Sequence, residues 1–174
     1  MKDFAFYFIN RVLNKVPSRK FRMAFYYILS KGNINFHSSI GLGVTILDIR
    51  NIYIGRNSNI NFDSLIDGRG AKILIGENVD IAPFCKIWTL EHDPHDNNYS
   101  SISGEVIIDN NVWLGGSVII LPNTHIKEFS IIGAGSIYKG NSEKKSVYLG
   151  TKATNRGVRK INNSYSLPKI RRFR

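Results

Sequence analysis

Ile108-Asp109-Asn110-Asn111-Val112-Trp113, Leu114-Gly115-Gly116-Ser117-Val118-Ile119, Ile120-Leu121-Pro122-Asn123-Thr124-His125, Ile126-Lys127-Glu128-Phe129-Ser130-Ile131, Ile132-Gly133-Ala134-Gly135-Ser136-Ile137: an aliphatic residue opens every block of six. A six-residue period is a repeat signature and is read before local propensity. A helix would space its apolar residues by three and four, and a half-buried strand would alternate. Six fits short strands along the flat sides of a prism, with a bend after each. The opening aliphatic points inward, while Gly, Asn and Asp tolerate the corner backbone. One coil cannot bury its own apolar face, so coils must stack. An antiparallel sandwich is the competing architecture, but hairpin signals such as Asn-Gly are missing at the corners.

Working outward, the pattern extends back through Ile34, Ile40, Ile46, Ile52, Ile54, Ile60 and Ile66. Three blocks make one coil of eighteen, so longer spacings expose insertions. Ile54-Gly55-Arg56-Asn57 recurs as Ile75-Gly76-Glu77-Asn78, 21 residues on, and the Gly68-Arg69-Gly70 corner is expected to hold the surplus three. From Ile75 to Ile108 the spacing is 33, fifteen too many; from Ile108 to Ile126 it is eighteen. The sequence thus predicts a repeat domain over residues 34–150, interrupted by one long loop at about 90–105. That loop, Thr89 to Glu105, concentrates the titratable groups of the repeat, and loops on rigid scaffolds commonly carry function.

The flanks differ from the centre. Residues 1–35 hold seven Lys/Arg against Asp3 alone, residues 36–138 six against eleven Asp/Glu, and residues 139–174 eleven against Glu143 alone; the segments carry +6, −5 and +10. Basic flanks suit polyphosphate ligands or anionic surfaces. In the N-terminal segment, 1–33, helical spacing groups Phe4, Phe8, Val12 and Val16 with Ile9 and Leu13 beside them, and then Phe21, Phe25, Ile28 and Leu29, with Pro17-Ser18 between. Two short amphipathic helices are expected. They cap the open end of the repeat, the favoured reading, or lie in a membrane interface, and the two roles are compatible. Residues 151–174 are expected to form a basic C-terminal tail.

A single cysteine, Cys85, excludes an internal disulfide, and the register buries it. No apolar run could span a bilayer, and the N-terminus lacks a signal-peptide pattern. A cytoplasmic location is expected, with peripheral contact at the inner membrane face.

On the run Asn111 to Pro122, followed by Ile132-Gly133-Ala134-Gly135-Ser136 and preceded by a His-Asp pair, the sequence resembles the hexapeptide-repeat acyltransferases. The resemblance covers most of residues 34–160 and is strongest to O-acetyltransferases of surface-polysaccharide biosynthesis (capsule, O-antigen, exopolysaccharide). It implies an all-β left-handed parallel β-helix, a homotrimer, and acetyl-CoA lying between adjacent prisms.

It also implies a site. Acetyl transfer from a thioester to a hydroxyl needs one proton removed, which a neutral imidazole does well, and donors for the oxyanion. His92 matches the family's catalytic histidine; the bland alternative is a surface loop histidine. Glu91 and Asp93 are equal candidates to orient it or to touch the acceptor. Asn61 falls near a substrate asparagine of related enzymes, and a plain corner Asn explains it as well. Gly115 and Gly116 suit close approach of the thioester, with the Gly116 N–H as oxyanion donor. Gly133 and Ala134 match the wall along the pantetheine arm, although corner geometry alone also calls for small residues. Trp113 packs beside the cofactor. Lys139, Lys152 and Arg156 are phosphate partners on charge alone, since the family's Gly-Asn-Pro-Ala-Lys pattern stands here as Gly150-Thr151-Lys152-Ala153-Thr154.

No metal is expected. His92 and His95 lack a third ligand in the repeat register, and zinc normally takes three or four. The expected function is an acetyl-CoA-dependent O-acetyltransferase acting on a carbohydrate hydroxyl. Its rivals are N-acetylation of an amino sugar and a non-catalytic membrane-surface scaffold. Nucleic acid is disfavoured, because the basic residues lie in the flanks without a recognised module.

Overall fold

The computed structural model describes residues 2–150; the expected basic tail lies outside them. Strands of two or three residues wind into a parallel β-helix with three faces. The first face stacks Ile52–Ile54, Ile73–Ile75, Val106–Ile108 and Thr124–Ile126. The second stacks Ser39–Ile40, Asn59–Ile60, Asp80–Ile81, Trp113–Leu114, Ile131–Ile132 and Val147–Tyr148. The third stacks Thr45–Leu47, Leu65–Asp67, Lys86–Trp88, Ile119–Ile120 and Ile137–Tyr138. The fold class is all-β, a left-handed parallel β-helix with short N-terminal helices.

The block-opening aliphatics explain this winding. Each turns inward and stacks on its equivalent one coil away, at the ~4.8 Å spacing of neighbouring strands. Ile40, Ile60, Ile81, Leu114 and Ile132 form one such buried column, and Ile46, Ile66, Ile87 and Ile120 another. At the corners the backbone turns left-handed. Asn57, Asn78 and Asn111 do so at one edge, as their type allows, but Phe84 and Phe129 are forced into the same conformation at φ 65° and 60°. The neighbouring coils fix the bend there, overriding the cost of a bulky side chain at positive φ.

The N-terminal segment closes one end, facing the coil with the edge of the expected apolar face rather than its centre. Helix α1 spans Lys2–Tyr7; its hydrogen bonding loosens to a π-turn over Phe8–Val12 and tightens to a 3₁₀ turn over Leu13–Lys15. Those changes rotate the chain out of the α register. Ile9 and Leu13 therefore face the core, while Phe4 and Val12 of the expected stripe are exposed. Helix α2, Arg19–Leu29, likewise buries Arg22, Met23 and Tyr26, leaving Phe21 and Ile28 outside. Asparagines stitch the segment to the first coil: the Asn10 side chain donates to Ile46 O and accepts from Ile46 N, both at 2.8 Å. A bare strand edge is thereby closed, as a β-helix end requires. No helix among the described residues is long and apolar enough to cross a membrane.

Candidate active site

The surplus residues gather at one corner, between the third and first faces. Asp48 to Asn51 form a short turn there, Gly68-Arg69-Gly70 a second, and the long insertion a third. The long insertion is a β-hairpin rather than an irregular loop. Leu90–His92 pairs antiparallel with Ser101–Ser103, with His92 opposite Ser101. Its eight-residue connection lacks the two-residue turn that would have announced it in the sequence.

The connection is built by carboxylates that satisfy backbone donors. Asp93 Oδ1 accepts from His95 N at 2.8 Å, and the two Asp96 oxygens accept from Asn98 N at 2.9 Å and Ser100 N at 3.0 Å. The Ser100 hydroxyl and these two N–H groups hold the Asp96 carboxyl below its ordinary range. At the root, buried Thr89 donates its hydroxyl to Asp67 O and accepts from Gly70 N, while its carbonyl accepts from Gly104 N. Buried Asp67 is in turn gripped by Arg69 through Nε at 2.9 Å and Nη2 at 2.8 Å.

His92 is exposed on the outer part of this hairpin. Its Nδ1 lies 2.8 Å from the Tyr99 carbonyl oxygen. A carbonyl only accepts, so Nδ1 carries the hydrogen and Nε2 of the neutral ring keeps its lone pair. The two rings meet edge-on at 6.1 Å. The bond fixing His92 thus comes from neither carboxylate that the sequence singled out. Glu91 Oε1 accepts instead from Lys139 Nζ at 2.6 Å, a contact between residues 48 apart. Tyr99 could not have been found from the sequence, because it acts through its main chain.

The small residues collect at a different corner, between the second and third faces. Asn61, Ala82, Gly115 and Gly133 occupy equivalent places in successive coils; Asn61 Nδ2 donates to Ile81 O at 3.1 Å. The glycines divide into two kinds. A Cβ on Gly115 would meet Ala134 N at 2.5 Å, and one on Gly133 would meet Leu149 Cδ2 at 2.1 Å. Main-chain packing demands the first, whereas the exposed Leu149 side chain can swing away from the second. A Cβ on Gly116 would have only Pro83 O near it, at an ordinary 3.7 Å. Among the described residues the Gly116 N–H has no main-chain partner, although Gly115 N and Ser117 N are bonded within the coil.

Behind this corner lies Cys85, buried, with its thiol donating to Gly115 O at 3.2 Å. Burial pushes that thiol up to about 11. Trp113 stands exposed on the second face. Glu91, His92, Asp93 and Lys139 are therefore grouped at one corner, and Asn61, Gly115, Gly116, Gly133 and Ala134 at another. One face separates them, about four residues at ~3.3 Å each. Lys152 and Arg156 lie outside the described residues.

Two features escaped the sequence reading. On the first face His125 Nε2 lies 3.0 Å from Asp109 Oδ1, beside a groove of about 250 Å³ lined by Tyr53, Leu74, Ile107 and Glu128. That groove holds none of the expected site residues. Among the described residues no three His, Cys, Asp or Glu side chains come together as metal ligands.

No family model matches the chain. It is 37% identical over 117 residues to the galactoside O-acetyltransferase of Escherichia coli K12, covering 65% of this chain and 56% of that one. Over 159 residues it is 28% identical to a putative lipopolysaccharide biosynthesis O-acetyl transferase, WbbJ, of the same organism, covering 81% and 79%. Among solved structures, a hexapeptide-repeat acetyltransferase of Vibrio cholerae O1 biovar eltor, VCA0836, complexed with acetyl-CoA, superposes with a TM-score of 0.71 at 24% identity, covering 78% and 74%. That likeness speaks to the fold. The chain spans about half the length of the curated relatives it matches first, 56%, 45% and 56% of each.

Proposed function

We propose that the chain is a hexapeptide-repeat acyltransferase that moves an acetyl group from acetyl-CoA to a carbohydrate hydroxyl, a reading supported by its similarity to the O-acetyltransferases above. The observation that carries this reading is the exposed His92 ring, locked by Tyr99 O with Nε2 turned free. In one direct step the acceptor oxygen attacks the thioester carbon while Nε2 takes the hydroxyl proton. The Gly116 N–H donates to the oxygen that becomes negative. Collapse breaks the carbon–sulfur bond, and the imidazolium returns its proton to the departing thiolate, giving an acetyl ester and free CoA. Cys85 takes no part, being buried and protonated.

A histidine at one corner and the oxyanion donor at another cannot serve one thioester within a single prism. We therefore place the reaction between copies: His92 of one chain faces the Gly116 corner of the next, and three chains close the ring. Lys139 would meet a CoA phosphate by exchanging partners with Glu91, while Asn61 and Asp93 would line the acceptor side. Trp113, Gly133 and Ala134 would flank the pantetheine arm, with Lys152 and Arg156 toward its phosphates. The similarity to the lipopolysaccharide O-acetyl transferase over most of both chains supports a surface-polysaccharide acceptor.

The test is His92→Ala. It should abolish CoA release with sugar acceptors while leaving folding and CoA binding intact; retained turnover overturns the assignment. Screening hydroxyl and amino-sugar acceptors with one thiol-release assay separates O- from N-transfer.

A further inference from the structure

We propose that the outward face of the N-terminal helices seats the protein on an anionic lipid surface. The outer residues of both apolar stripes, Phe4, Phe21 and Ile28, are turned away from the coil, and half-buried Phe8 and Phe25 join the two helices. Ring centroids run Phe4 to Phe8 at 6.3 Å, Phe8 to Phe25 at 5.7 Å and Phe25 to Phe21 at 4.7 Å. Phe4 is 74% exposed, Ile28 67% and Phe21 47%. Ile9, Leu13, Met23 and Tyr26 cover the coil, with Phe8 and Phe25 packed partly against it, so Phe4, Phe21 and Ile28 are left to solvent. A contiguous aromatic patch left in water is costly unless something covers it.

Charge says what covers it. Arg11, Lys15 and Lys20 are exposed in the same segment, and no Asp or Glu occurs between Phe4 and Leu47. Arg22, by contrast, is drawn inward onto the carbonyls of Val16, Pro17 and Ile40, which anchors α2 to the first coil. Aromatic and aliphatic side chains bordered by cations, with no acidic counterpart, match the headgroup region of an anionic bilayer. Tyr7 and Tyr27, exposed beside the patch, suit the same depth. An eleven-residue α2, ~1.5 Å per residue, is far short of a ~30 Å hydrocarbon core, so the helices lie in the interface rather than cross it.

The test uses the full chain with sedimentable vesicles of phosphatidylcholine, with or without phosphatidylglycerol. The protein should pellet with the anionic vesicles only, and less as salt rises. The double variant Phe4→Ser/Phe21→Ser keeps every charge and should bind on the order of tenfold more weakly. Each of Lys15→Gln and Lys20→Gln should cost about fivefold. Circular dichroism melting should be unchanged in all variants, since these side chains are exposed. Failure of the unaltered chain to pellet overturns the proposal. So does equal binding by the double variant, which would credit charge alone, or a smaller assembly mass in that variant, which would assign the patch to a second copy. None of these readings depends on acetyl transfer.

Discussion

The Nδ1 of His92 sits 2.8 Å from the carbonyl oxygen of Tyr99, across the connection of the hairpin that carries both. The imidazole is thus oriented by a main-chain atom, so its setting depends on whatever holds residues 93–100 in shape.

Asp96 is one of those supports, binding the N–H groups of Asn98 and Ser100. Asp96→Ala should lower kcat about tenfold, the order expected for a misplaced general base, while thermal unfolding barely moves because the group is exposed. The sign with pH follows from its depressed carboxyl. A lowered native value adds stability that is present above the unfolded carboxylate range and lost as pH falls through the native value. Hydrogen exchange of the Ser100 amide should therefore speed up in acid before the core melts. Exchange that rises only with global unfolding would contradict this.

Lys139 and Glu91 form a half-exposed pair at 2.6 Å, worth no more than ~1 kcal/mol to stability. Lys139→Ala should raise the KM for acetyl-CoA several-fold with little change in Tm. Glu91→Gln should leave that KM equal or lower, because it frees the ammonium. A KM indifferent to both would remove Lys139 from phosphate binding.

The two adjacent glycines should behave differently. Gly115→Ala forces a Cβ against the Ala134 main chain, and overpacking of that kind costs about 1–3 kcal/mol. Gly116→Ala has room within the coil and should unfold in urea like the unaltered chain. Its transfer rate should nevertheless drop at least tenfold if the thioester passes there. Equal activity would leave Gly116 as plain corner geometry.

Cys85 should resist alkylation at about pH 8 until the protein unfolds, because its thiol titrates at about 11 and is buried and the thiolate is the reactive form. Cys85→Ala should keep transfer within a few-fold. Rapid labelling of the folded chain, or loss of activity in Cys85→Ala, would reopen the case for a covalent intermediate.

The sequence alone determined the coil, and the reason is local: every sixth residue from Ile108 to Ile132 had to be apolar for a prism side to bury it, so spacing and fold are one statement. Spacing also located the fifteen-residue excursion, because a repeat makes any surplus countable. Only the tertiary structure decided what the excursion does. Its antiparallel pairing, the Tyr99 carbonyl on His92 and the contact of Lys139 with Glu91 across 48 positions are set by which backbone groups and coils come to lie side by side. Helical spacing marked Phe4, Phe8 and Val12 as apolar without saying which way each faces; across the π-turn Ile9 and Leu13 take the core, Phe8 is half-buried, and Phe4 and Val12 are left exposed.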